Sequence, residues 1–169
     1  MLPLLPLLAG NLIATTVPAT LKPCPEGVIN QIDGLYRWHV QRMGKSSDPV
    51  EALSSQRQRF TPSLFELLIE ARQLHALRDG RFLDIDVFSN TQASTYSAKV
   101  TGCSTEKAGS IMAAVDVQAG LRPPGMTSRL RYELNKDSKG NWRINNISYL
   151  DGHVFQLRPF LQELVNPAT

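Results

Sequence analysis

Asp84 and Asp86 stand two residues apart in Arg81-Phe-Leu-Asp-Ile-Asp-Val-Phe-Ser-Asn-Thr-Gln92, so in an extended segment both carboxylates project to the same side. Three roles fit such a pair: holding a turn through backbone N–H groups, contacting a ligand or cation, or serving as a general base whose pKa is raised by the flanking Phe82, Ile85 and Phe88. Asp84, Asp86, Phe88, Asn90 and Gln92, with Tyr36 from an upstream helix, form the candidate ligand-binding set. No residue is assigned a catalytic role. The histidines, His39, His75 and His153, are too far apart for a local zinc motif, and the first two fall on or beside apolar helix faces, where a core role is the default. The chain has no G-x-S-x-G, no phosphate loop and no EF-hand loop, so neither metal nor cofactor is expected. Arg57, Arg59, Arg72, Arg78 and Arg81 form either a basic lip near the helix ends or a solvated helix surface.

Charge narrows the partners. Eighteen Lys plus Arg against fifteen Asp plus Glu give +3, spread along the chain without a basic run, so nucleic acid is not expected. Residues 1–19 carry no charged side chain and hold the apolar run Leu2 to Leu8, then Val17-Pro18-Ala19, the pattern of a cleaved export signal; a buried N-terminal segment and an uncleaved anchor are the alternatives. Export places the chain in the periplasm or outside the cell, with membrane contact only in transit. There Cys24 and Cys103 either form one disulfide or remain buried thiols.

These residues must be positioned by a single domain, expected over 26–165, after a linker at 20–25 and before a tail at 166–169. Val28, Ile29, Ile32, Leu35, Tyr36, His39, Val40 and Met43 fall at helical spacing from Glu26, ending near Gly44. Asp48-Pro49 starts a short second helix through about Arg59. Thr61-Pro62 caps a third, with Leu64, Leu67, Leu68, Ala71, Leu74, His75 and Leu77 on one stripe and Arg78-Asp79-Gly80 closing it. Alternation then predicts strands over 94–102 and 110–119, with 104–109 as the turn between them.

After the Leu121-Arg-Pro-Pro-Gly125 break comes a hairpin, Arg129 to Leu134 and Asn141 to Leu150, followed by a short C-terminal helix within 155–165. Matching apolar faces sets Leu134 opposite Trp142, Tyr132 opposite Ile144 and Glu133 opposite Arg143, and the parity flip to Ile147 and Tyr149 predicts a β-bulge at Asn145-Asn146. On this alternation Arg129, Arg131 and Arg143 fall on the outer face. The fold class is α+β: three N-terminal helices packed on a curved antiparallel sheet of about four strands, then a short C-terminal helix.

Leu35-Tyr36-Arg37-Trp38, Phe60-Thr-Pro-Ser-Leu-Phe65, Asp84-Ile-Asp86-Val-Phe88-Ser-Asn-Thr-Gln92 and Gly140-Asn-Trp-Arg-Ile144, in this order, resemble the nuclear-transport-factor-like superfamily, also called cystatin-like, and within it the bacterial domain-of-unknown-function family 3828. The resemblance covers roughly residues 27–151. It implies a cone-shaped domain in which sheet and helices enclose a pocket, in an exported protein. It supplies no activity. Val87 and Ala93 depart from the family pattern, where a proline and an acid are usual, so a shared role for that loop is not carried over. The expected function is non-catalytic binding of a small molecule or a protein partner through pocket or sheet, with homodimerisation through the sheet as a further expectation. The alternative is a cofactor-free lyase or isomerase with a pocket carboxylate as general base.

Overall fold

The computed structural model describes residues 21–43, 49–77 and 86–167. The leader-like 1–19, Gly44, the closing turn 78–80, and Arg81 and Asp84 of the linker lie outside the described residues.

Helix α1, Glu26–Arg42, buries Val28, Ile32, Leu35, Tyr36 and His39, a single stripe at helical spacing. Glu26 in its first turn and His39 and Arg42 in its last suit the helix dipole. Helix α2, Pro49–Ser54, is shorter than the sequence predicts, and the chain makes one separate 3-10 turn at Arg57–Arg59. The physical reason is local: residues 54–59 are all polar, so a continued helix would have no apolar stripe to bury. Helix α3, Pro62–Leu77, starts with proline in its first turn, and the Thr61 hydroxyl accepts the Leu64 N–H at 3.4 Å as its cap.

Five antiparallel strands follow in sequential order: β1 Ser94–Lys107, β2 Ser110–Gly120, β3 Met126–Lys136, β4 Trp142–Tyr149 and β5 Phe155–Gln156. Helix α4, Leu157–Val165, closes the chain. The fold is α+β with five strands rather than about four. The extra one comes from residues assigned to the final helix: Phe155 stacks on Tyr149 with ring centroids 4.3 Å apart, which holds the segment extended beside β4. The expected turn at 104–109 shrinks to Ala108-Gly109, because β1 pairs with β2 up to Lys107↔Ser110 and Gly109 takes the left-handed φ of 75° that so tight a reversal needs.

The third hairpin keeps its expected faces and changes its register. Leu134 pairs with Ile144, Tyr132 with Ile147, Glu133 with Asn146, and Lys136 with Trp142. A slip of two residues leaves every side chain on its original face, so apolar matching alone does not distinguish the two registers. The turn decides: one Asp137 carboxylate oxygen accepts the N–H groups of Lys139 and Asn141, both at 2.9 Å, which carries the strands to Lys136 and Trp142. Arg143 accordingly pairs with Asp137 at 3.0 Å, while Glu133 accepts a hydrogen bond from Asn145 at 3.1 Å. The bulge is present, with Asn145 the extra residue between the pairs Glu133↔Asn146 and Leu134↔Ile144.

That bulge joins three elements. The Asn145 carbonyl accepts Arg158 Nε at 2.9 Å, and its side-chain oxygen accepts Arg158 Nη2 at 2.7 Å and the Thr61 hydroxyl at 3.2 Å. Asn146, 7% exposed, accepts the Arg158 N–H at 2.9 Å, capping α4 from across the sheet, since the residue preceding α4 supplies no side-chain cap. Helix α1 packs mainly on β1, and α3 packs mainly on α4, which in turn lies on β4. The core between them holds Tyr132, Tyr149, Phe88, Leu35 and Leu64, each fully buried and worth about 1.5–3 kcal/mol for the aliphatic and phenyl side chains.

Cys24 and Cys103 form a disulfide across 79 residues, beside the pair Lys22↔Cys103, whose backbone hydrogen bonds measure 2.7 and 2.8 Å. This fixes the start of α1 to the edge of the sheet. Among the described residues no helix is long and apolar enough to cross a membrane.

Candidate functional site

Asp86 opens a tight loop, 86–91, whose ends meet through a hydrogen bond from the Asp86 N–H to the Thr91 carbonyl at 2.8 Å. Its carboxylate faces inward. Oδ1 accepts the Phe88 N–H at 3.0 Å; Oδ2 accepts the Ser89 hydroxyl at 3.3 Å and lies 2.5 Å from His39 Nε2 on α1. His39 is 1% exposed and the Asp86 side chain 20%. The Thr95 hydroxyl sits 3.4 Å from the same His39 nitrogen, and Nδ1 has no hydrogen-bond partner among the described residues. Burial pushes the Asp86 pKa up, but the His39 hydrogen bond and charge, with the Phe88 N–H and Ser89 hydroxyl, outweigh it and hold the carboxyl below its ordinary value.

The tyrosines are committed in the same direction. Tyr36 donates to the Phe88 carbonyl at 2.7 Å, so its contact with the Tyr132 oxygen at 2.8 Å requires Tyr132 to donate. Tyr149 donates to the Val87 carbonyl at 2.9 Å. Burial, first among the causes, pushes all three hydroxyls well above the ordinary tyrosine range. Hydroxyls so placed pin the 86–91 loop onto α1 and the sheet.

Of the expected set, Tyr36, Asp86 and Phe88 come together in this packed interior, and Phe88 is fully buried against Trp38, His39 and Phe60. Asn90 stands at the loop's end with a φ of 58°, its amide 3.5 Å from the Asp151 carbonyl. Gln92 is exposed. Arg72 is half-buried within reach of the Asp86 charge, its pKa pushed down to about 10 by burial and then by Arg42. Among the described residues no three His, Cys, Asp or Glu side chains group as a metal site.

A second arrangement takes in Arg57 and Arg59, two of the arginines that the sequence offers as a basic lip or a solvated helix surface. Gln31 of α1, residues 54–59 and Arg143 of β4 wall a cleft of about 570 Å³. Arg59 holds its base: Nε donates to Gln56 Oε1 at 2.7 Å, and Nη1 reaches Gln31 Oε1 and the Gln31 carbonyl, each at 3.3 Å. Gly34 makes room for this, since a Cβ there would lie 2.4 Å from the guanidinium. Burial and then the charge of Arg37 lower the Arg59 pKa. Arg57 lies over the Phe65 ring at 5.4 Å. Arg143 borders the cleft while bound to Asp137, whose pKa is lowered to about 2, first by the Asn141 N–H. The available signal was the uninterrupted polar run 54–59 between two helices; its partners Gln31 and Arg143 are far away in sequence.

No family model, no curated protein and no solved structure matches the chain.

Proposed function

We propose that this domain is a non-catalytic binding module of an oxidising, extracytoplasmic space, and that the cleft between α1, residues 54–59 and β4 is its binding surface. One observation carries the reading: the carboxylate and hydroxyls that could act on a substrate are bound to the protein itself. A general base near neutrality needs a pKa raised toward the working pH and a free lone pair. Asp86 has its pKa lowered and both oxygens occupied. The Tyr36 and Tyr149 hydroxyls donate to backbone carbonyls, so they supply no free oxyanion site.

The signal-like residues 1–19 and the Cys24–Cys103 disulfide support export to the periplasm or beyond. The order of helices, strands and the Trp142-Arg143-Ile144 segment supports the cone-shaped, cystatin-like reading and family 3828. The polar outer sheet face, with Arg129 and Arg131 exposed, is the surface through which such a domain pairs into a homodimer.

The test is turnover. Purified full chain is incubated with steroid, lactone and polyketide-type substrates beside the Asp86→Asn variant. No turnover by either is expected. Turnover by the wild type that a folded Asp86→Asn variant abolishes would overturn the reading in favour of a carboxylate-based lyase or isomerase.

A further inference from the structure

We propose that the cleft binds a small anionic polyhydroxy ligand, such as a phosphorylated or acidic sugar, with the anion held by Arg57 and Arg59 and the hydroxyls by the surrounding amides. This rests on the cleft being the binding surface and adds the class of ligand. Among the described residues the lining is arginine, glutamine and serine, without a carboxylate or an aromatic ring, so it matches a ligand polar on every side and not a steroid or a flat aromatic. The volume of about 570 Å³ suits a small molecule.

The cleft arginines Arg57 and Arg59 are in no ion pair among the described residues, Arg57 resting instead on the Phe65 ring. Among the described residues, the Lys and Arg ion pairs are Arg129 with Asp151 and Arg143 with Asp137; Arg57, Arg59 and nearby Arg37 have none. Like charges gathered beside a cleft repel one another until an anion enters, so the arrangement favours a ligand of opposite sign. It is also prepared in advance. The bonds from Arg59 Nε and Nη1 fix the guanidinium plane, and no described residue accepts from Nη2. With Nε and Nη1 committed, Nη2 is the nitrogen of Arg59 left to donate to a phosphate or carboxylate oxygen, beside the Arg57 charge. Gln58 is exposed on the same wall and makes no hydrogen bond within the described protein, which leaves its amide for ligand hydroxyls.

Titration calorimetry on the full, oxidised chain tests this with glucose 6-phosphate, glucuronate, glucose and inorganic phosphate. Glucose 6-phosphate or glucuronate is expected to bind, whichever is tighter naming the source of the charge, and glucose is expected not to. Arg57→Glu and, independently, Gln58→Glu should each weaken binding by about tenfold or more, whereas Arg122→Gln in the exposed 121–125 turn leaves it unchanged. Binding should also weaken as salt rises from about 50 to about 300 mM. Glucose binding as tightly as its charged relatives, no binding by any probe, or binding indifferent to both cleft substitutions overturns the anionic assignment. None of these outcomes touches the non-catalytic reading, which fails only on turnover.

Discussion

Replacing Asp86 with alanine tests the central contact of the fold. The substitution removes three hydrogen bonds at once: those from the Phe88 N–H, the Ser89 hydroxyl and His39. His39, 1% exposed and already without a partner at Nδ1 among the described residues, would be left with only the distant Thr95 hydroxyl, 3.4 Å from Nε2. Leaving a buried polar group without its partner costs about 1–3 kcal/mol, and with three bonds lost together a cost of about 3–5 kcal/mol is expected. For a domain of this size that is a fall in Tm of about 6–20 °C. Asp86→Asn, which keeps an acceptor for the Phe88 N–H, should cost about 1–3 kcal/mol. Urea unfolding with the disulfide intact measures both.

A pH series adds a sign. The folded pKa of Asp86 lies below the ordinary 3.8, so its contribution is fully present above that value and is lost as pH falls through the folded pKa. The stability gap between wild type and Asp86→Asn should therefore narrow below about pH 4, as the carboxylate takes up its proton. A double-mutant cycle with His39→Phe should return a coupling of at least about 1 kcal/mol. Asp86→Ala within about 0.5 kcal/mol of wild type, or a cycle that closes to zero, would refute the idea that this pair fastens the loop.

Reducing the Cys24–Cys103 bridge, or replacing both cysteines with serine, should lower stability by about 4 kcal/mol for a closed loop of this length; non-reducing peptide mapping and urea unfolding check it. Asn146→Ala leaves the Arg158 N–H without its acceptor and should cost about 1–3 kcal/mol, read by the same unfolding measurement. Gly125→Ala combines a φ of 80° with a Cβ 2.5 Å from the Ala119 carbonyl oxygen; a loss of more than about 1 kcal/mol is expected, with peptide-level hydrogen exchange rising first at 119–126.

What the sequence disclosed depended on range. Alternation in Leu130, Tyr132 and Leu134 against Ile144, Ile147 and Tyr149 located the hairpin and its bulge, because period-two patterns are local and a flip in parity has few other causes. The register escaped it, since two registers separated by two residues bury the same side chains and the Asp137 turn that chooses between them reads only as a polar stretch. Residues 155–156 were placed in a helix because Phe155 fits either period, and its stacking on Tyr149 decides. The acid in the 86–92 segment was visible as chemistry. Its partner His39 lies 47 residues earlier and looked like any histidine on an apolar helix face, so the inward turn of Asp86 had no local sign. Arg57 and Arg59 were visible as basic residues; the cleft was not, since Gln31 and Arg143 reach it from other elements.

The extra residue at Asn145 makes β4 two half-strands in opposite phase. Trp142 to Ile144 belongs to one phase and Ile147 to Tyr149 to the other, and the junction between them is where α3 and α4 are fastened through Thr61 and Arg158. Loss of a single residue at this junction would shorten the strand very little. It would remove the bulge, setting Ile144, Ile147 and Tyr149 at regular alternation on one face, and would take away the Asn145 carbonyl and side-chain oxygens that hold Arg158 and Thr61. Helices α3 and α4 would then lose their fastening to the sheet through a change that leaves the buried face of β4 as it was.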